Sequence, residues 1–260
     1  MPRNIDRIDD RVLEVSPETT VWRYLRLERF LPLLTNQMYF PRPTQFDDRW
    51  EGMFPPSYLR RIRTRNAGSP DLEIETDHLL ARRNMHRNAH FVSCWHISEH
   101  ESDAMWRLYA LAPEGLAIKS TVGDLLECFR PDGHGAVQYY DPSADQRTNN
   151  IFLGLNDILW KRQDFAWEKE YRIWFDDAEM IGAFSEVGDV QFAQPMEGQL
   201  FDFSEAQRLI KQIVVAPFAT KEYVEILTAV LSQNNRRWMI PLIQRSKSEQ
   251  SWEEFADEAT

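Results

Sequence analysis

Apolar positions recur along the chain in short runs of two periods, and the expected elements follow from them. Residues 21–25, Val-Trp-Arg-Tyr-Leu, read as a short strand. Leu27, Phe30, Leu31 and Leu34 then recur at helical spacing up to Asn36, which suits a helix stop. Residues 38–40 read as another short strand, ended by Pro41 and Pro43. The segment 59–86 predicts helix on both sides of a Gly68-Ser69-Pro70 break. Residues 91–95 are compact and β-prone, whereas 104–111 predict a helix with Met105, Trp106 and Tyr109 on or near one face. Further strands are expected at 115–119 and 136–140, a helix at 150–160, and a strand at 167–175. Toward the C-terminus an apolar run at 213–216 precedes Thr220 as a helix cap. The stripe Tyr223, Val224, Leu227, Val230 and Leu231 and a strand at 238–243 complete a β-α-β pattern.

This order predicts an α+β fold. A central mixed or antiparallel sheet would form a cleft, flanked by helices 27–36 and 59–86, with the β-α-β unit at the C-terminal end. No repeat and no Gly/Ser linker divides the chain, so the expected organisation is an N-terminal extension (1–20), a single domain (21–246) and an acidic tail (247–260) with five carboxylates. At 260 residues and 43% apolar, the chain is long enough to bury a sizeable core.

Charge and composition narrow the function classes. No apolar run approaches the roughly 20 residues that cross a bilayer, so no membrane partner is expected. The polar start, Met1-Pro2-Arg3-Asn4, lacks the apolar stretch of a secretory signal, and two cysteines, Cys94 and Cys128, suit a cytoplasmic protein better than a disulfide framework. A net charge of −11 opposes binding to nucleic acid through phosphate neutralisation alone. Between residues 60 and 87, however, seven arginines against four acids leave a local +3. That stretch is either a solvated helical face or a docking surface for an anionic ligand such as a dinucleotide or RNA.

The richest segment is Trp167-Glu168-Lys169-Glu170-Tyr171-Arg172-Ile173-Trp174-Phe175. As a strand it would place Glu168, Glu170 and Arg172 on one face, the two carboxylates about 7 Å apart, and Tyr171, Ile173 and Phe175 on the other. Such a face serves either as an active-site wall or as the watered side of an edge strand.

Across about residues 21–245 the chain resembles a bacterial family known as domain of unknown function 2971. The resemblance is carried by Trp22-Arg23-Tyr24, Phe46-Asp47-Asp48-Arg49-Trp50-Glu51, Ser93-Cys94-Trp95, Met105-Trp106-Arg107-Leu108-Tyr109-Ala110, Gly115-Leu116-Ala117-Ile118 and Trp167-Glu168-Lys169-Glu170-Tyr171-Arg172. The first loop departs from the family's Phe-Asn-Asp-Pro-Phe-Glu at Asp47, Arg49 and Trp50. The ordered set Arg23, Ser93 and Glu168-Lys169-Glu170 is also similar to ADP-ribosyltransferases of the Arg-Ser-Glu type, although Cys94 and Trp95 stand where that class has a second hydroxyl residue.

This second resemblance implies an NAD-dependent transferase, with NAD as substrate and an unidentified protein, nucleic acid or small molecule as acceptor. Its role would be that of a toxin, a phage-defence effector or a housekeeping enzyme. Breaking the nicotinamide–ribose bond passes through an oxocarbenium-like state, so a carboxylate beside the ribose lowers the barrier. Glu170 is the implied catalytic carboxylate, and Glu168 would steer the acceptor. Arg23 would pair with the pyrophosphate and Ser93 would orient ribose or carboxylate. Tyr24, Trp95 or Trp106 would stack on nicotinamide, and Arg172 would line the same site.

Two other classes compete. Asp47, Asp48 and Glu51 with Glu168 and Glu170 would suit Mg²⁺ in a nuclease or phosphoesterase. Nine tryptophans, with Trp22, Trp50 and Trp252 expected at the surface, would suit a non-catalytic protein-binding module. His90, Cys94, His96 and His100 fall close together but lack a paired metal-ligand spacing, so no resident metal is expected.

Overall fold

The computed structural model describes residues 14–53, 56–65, 67–68, 76–77, 80–81, 87–143, 157–181 and 197–249. Its strands are β1 (Thr20–Arg26), β2 (Gln37–Phe40), β3 (His90–Ile97), β4 (Gly115–Thr121), β5 (Gly133–Ala136), β6 (Gln138–Tyr140), β7 (Trp160–Arg162), β8 (Glu170–Asp176), β9 (Gln199–Asp202), β10 (Gln212–Val215) and β11 (Ile243–Arg245). Seven of them form one sheet in the order β11-β10-β4-β1-β3-β8-β5, and two-stranded ladders pair β2 with β9 and β6 with β7. The large sheet is mixed: β4 runs antiparallel to β1 and β10, whereas β11 runs parallel to β10. With its flanking helices this is an α+β fold. Among the described residues, no helix is long and apolar enough to cross a membrane.

By contact the chain divides into two compact units. One comprises Met1–Glu14, Phe40–Ser93 and Pro131–Gln199, the other Val15–Tyr39, Cys94–Arg130 and Leu200–Thr260. In the second unit the register of β1 on β4 sets Tyr24 beside Ala117, and Ala117 in turn sits beside Val214 on β10. These residues pack with Trp22, Met105, Trp106, Ala110 and Ala216 in one buried cluster. The small Ala117 leaves room for the Trp106 ring, which meets Tyr24 edge to face at 4.8 Å, a geometry favoured by the opposed ring quadrupoles.

Several helices differ from their sequence pattern for local reasons. The expected helix 27–36 is one α-turn, α1 (Leu27–Phe30), followed by a 3₁₀ segment, Leu31–Thr35. Pro32 has no N–H to continue the α-ladder, and Asn36 stops the segment in the left-handed region, φ 59°. The expected helix 59–86 begins earlier, as α2 (Pro56–Arg65), and most of its remainder lies outside the described residues. Residues 104–111 divide into a short α3 (Asp103–Met105) and a π-helical turn, Trp106–Ala110. A further helix, α4 (Val122–Phe129), follows β4 directly, capped by Thr121.

The expected strand 136–140 is split at Val137: β5 pairs with β8, and β6 turns away to pair with β7. Of the expected helix 150–160, residues 150–156 lie outside the described residues, Asp157–Leu159 form a 3₁₀ turn, and Trp160 opens β7. In the C-terminal part α5 (Ala206–Leu209) precedes β10. Thr220 then caps α6 (Lys221–Gln233), its Oγ1 accepting from the Tyr223 amide at 3.1 Å. The expected strand 238–243 is instead a 3₁₀ segment, Arg237–Leu242, holding Pro241, so only Ile243–Arg245 pair as β11. Trp22, expected at the surface, is 3% exposed because β1 is a central strand; Trp252 lies outside the described residues.

Candidate functional site

The carboxylates of the 167–175 segment do not share a strand face. Gln163–Glu168 form a 3₁₀ segment, Lys169 takes the left-handed conformation at φ 42°, and β8 begins only at Glu170. The left-handed residue breaks the two-residue alternation on which the sequence expectation rested. As a result Glu168 and Glu170 approach a common cation from two different elements. Lys161 Nζ, from β7, is bonded to Glu168 Oε2 and lies 2.5 Å from Glu170 Oε1 and 3.7 Å from Glu51 Oε2.

Arg172 closes the cluster from the other side. Its guanidinium lies 2.7 Å from Glu170 Oε2 and 2.5 Å from Glu51 Oε1, and it also donates to the Ile158 carbonyl. Arg172 shares its β8 face with Glu170, as two-residue spacing requires, but that face is buried: Arg172 and Glu51 have no exposed surface, Glu168 has 2% and Glu170 6%. The reading of a watered edge strand is thereby overturned, because β8 lies between β3 and β5.

Backbone pairing explains how the cations arrive. In the β6–β7 ladder Tyr139 stands opposite Lys161 and Tyr140 opposite Arg162. Tyr139 Oη accepts from the Glu170 amide at 2.9 Å, and the Val137 amide donates to the Glu170 carbonyl, so the first residue of β8 is held on both its backbone groups. Beside the cluster, Arg162 Nη2 lies 2.9 Å from Asp48 Oδ1, and its guanidinium is 5.2 Å from the ring centres of both Trp50 and Phe165. Trp50 is the tryptophan of the first loop and is 40% exposed.

The electrostatics of the two glutamates diverge. Three carboxylates, Glu51, Glu168 and Glu170, face two cations, Lys161 and Arg172, so one shared proton makes the buried set neutral. Burial, together with the adjoining Glu170 carboxylate, pushes Glu168 up to about 7. Glu170 is held well below the usual carboxylate range: its own burial opposes ionisation, but Arg172, the hydrogen bond from Glu168 and Lys161 outweigh it. Lys161 is held firmly charged by Glu170, Glu51 and Glu168 against the opposing effect of burial. The site therefore contains one carboxylate that stays ionised and a neighbour that exchanges its proton near neutral pH.

The remaining expected site residues lie elsewhere. Ser93 belongs to the same compact unit as the glutamates and is fully buried on β3. Arg23, Tyr24, Trp95 and Trp106 belong to the other unit. There Arg23 Nη1 donates to the Cys94 carbonyl at 2.7 Å and its guanidinium lies 5.9 Å from the Trp95 ring, and burial pulls it down to about 10. Tyr24 Oη accepts from the Ser102 amide, and Trp106 Nε1 donates to Glu101 at 3.0 Å. Tyr24, Trp95 and Trp106 are all buried, so core packing accounts for them.

The carboxylates that would suit Mg²⁺ are, Asp47 apart, met by Lys161, Arg172 and Arg162 rather than facing a common open position, and Asp47 is exposed. Among the described residues, no group of three or more His, Cys, Asp or Glu side chains is placed to hold a metal ion. Sequence reasoning missed Lys161, which follows a tryptophan in a three-residue strand and carries no spacing signal; a buried lysine among carboxylates is recognisable only in three dimensions. No family model, curated protein or solved structure matches the chain.

Proposed function

We propose that the chain is an NAD-dependent transferase that moves ADP-ribose to an acceptor, with its chemistry centred on Glu170 and Glu168. The observation that carries this reading is the buried pair itself: one glutamate kept ionised and a neighbour pushed up to about 7. Groups whose environments drive their proton affinities apart divide the roles of charge stabiliser and proton carrier. In the proposed reaction the bond between ribose C1′ and nicotinamide breaks, and nicotinamide leaves with the bonding pair. Ionised Glu170 offsets the positive charge on the ribose, the acceptor forms the new bond to C1′, and its proton passes to Glu168, which must have given up its own proton to solvent beforehand.

Lys161 and Arg172 orient the pair and are positioning residues. Within the cluster of Glu51, Lys161, Glu168, Glu170 and Arg172, what exposed surface there is lies mainly on Lys161 and Glu170, each 6% exposed, and this is the edge at which a ribose would meet it. The reading rests on the first unit alone; Arg23, Tyr24, Trp95 and Trp106 are not needed for it.

Nicotinamide release from NAD, measured with a cell lysate as the source of acceptor, tests the reading. Glu170→Gln should lower the rate by about 10²-fold or more, with near-ultraviolet circular dichroism verifying that the variant is folded. Full activity in folded Glu170→Gln would overturn it.

A further inference from the structure

Within the second unit lies a cavity of about 480 Å³, inside the roughly 300–1,000 Å³ of sites that take small molecules. Three segments build its wall. Asn36 comes from the end of the 3₁₀ segment before β2, Glu205, Gln207 and Arg208 from α5 and its cap, and Arg236 and Trp238 from the chain just after α6.

The two arginines of this wall differ. Arg208 is already matched by acids: its Nε lies 3.0 Å from Asp124 Oδ1, and its Nη1 pairs with Glu127 and lies 4.0 Å from Glu205 Oε2. Arg236 has no carboxylate partner among the described residues. Its Nε donates to the Leu34 carbonyl at 2.9 Å and its Nη2 to Asn36 Oδ1 at 2.8 Å. These two bonds tie down one edge of the planar guanidinium. The other edge, with one N–H from each terminal nitrogen, is left as a fork of parallel donors, the geometry that pairs bidentately with an oxyanion.

The fork is open to solvent. Arg236 is half-buried, and its Nη1, which makes no hydrogen bond among the described residues, is not a sealed atom. The same holds for two further donors on the wall, Asn36 Nδ2, whose Oδ1 is taken by Arg236, and Trp238 Nε1. Donors alone would suit phosphate as well as carboxylate. Two features favour the carboxylate: Glu205 on the same wall opposes a second negative charge, and the Trp238 indole offers a flat apolar surface for the body of an organic anion.

We propose that this cavity binds a small organic monocarboxylate, its carboxylate held by the Arg236 fork with Asn36, and its planar apolar body against Trp238. The site belongs to the second unit alone and does not depend on the transferase reading.

Fluorine NMR of 4-fluorophenylacetate with the full chain, its line broadening followed as unlabelled competitor is added, tests the proposal. Saturable broadening at millimolar probe is expected, with 4-fluorophenylacetamide binding about tenfold or more weakly because it lacks the charge. Asn36→Asp keeps the side-chain shape and the left-handed backbone, which Asp accepts as Asn does, but sets a carboxylate against Arg236, and should weaken binding about tenfold or more without loss of fold by circular dichroism. Trp238→Leu should weaken it about threefold or more. Inorganic phosphate should displace the probe less well than unlabelled phenylacetate. Absence of saturable binding would overturn the proposal, as would equal affinity for the amide or unchanged affinity in folded Asn36→Asp. Displacement by phosphate as effective as that by phenylacetate would overturn the choice of an organic carboxylate.

Discussion

Replacing Glu168 by Gln should stabilise the protein at alkaline pH and leave it unchanged at acid pH. In the folded chain Glu168 faces Lys161 from β7 and Glu170 from β8, with Glu51 and Arg172 completing the buried set, and it binds its proton up to about pH 7 against an ordinary value of 4.5. Between these two values the folded state holds more protons than the unfolded state, so stability falls as pH rises and the whole contribution is lost above about pH 7. At roughly 1.4 kcal/mol per tenfold change in proton affinity, the loss is about 3 kcal/mol.

Gln has the shape of the protonated carboxyl and cannot ionise. The variant should therefore match wild type below pH 4.5 and exceed its stability by up to about 3 kcal/mol at pH 8. Glu170 titrates in the opposite sense: its depressed value makes its contribution complete above about pH 4.5 and lost as pH falls through the folded value. Both proteins share that effect, and it cancels from their difference. Urea unfolding followed by tryptophan fluorescence at pH 5, 6, 7 and 8 gives the difference directly. If Glu168→Gln were less stable than wild type by a constant amount across this range, Glu168 would be an ionised partner of Lys161 and the proton-carrier role would fail.

Three further outcomes are expected. Arg172→Met removes the guanidinium between Glu170 and Glu51, leaves the three buried carboxylates facing Lys161 as the one remaining cation of the cluster, and should cost about 3–5 kcal/mol in urea unfolding at pH 7. Gly115→Ala would drive a Cβ into the Ala110 backbone carbonyl at the start of β4; the backbone cannot yield as a flexible side chain can, and thermal unfolding should show a loss of about 1–3 kcal/mol. Thr220→Ala removes the hydroxyl that accepts from the Tyr223 amide at the start of α6 and should cost about 1 kcal/mol, whereas Thr220→Ser should retain most of the stability.

The elements that the chain announces in its own order are those specified by local chemistry. The run 213–216, the Thr220 cap and the stripe through Leu227 and Leu231 appear as β10 and α6, because capping and 3.6-residue periodicity are properties of neighbouring residues. The same holds for β1, for the Asn36 stop, and for the α+β class to which these elements add up. The boundaries that moved did so at single residues with particular backbone demands: Pro32 and Pro241, which lack an N–H, and Lys169, which turns left-handed. Glu168, Glu170 and Arg172 were recognisable as a charged group from their spacing, but their burial and their division between two elements were not. Those depend on Lys161 and Glu51, which lie 7 and 117 positions away from Glu168 in the chain and reach it only through the β6–β7 ladder and the first loop. A carboxylate's proton affinity is set by how much water it loses and which charges surround it, and both are decided only when distant segments pack together.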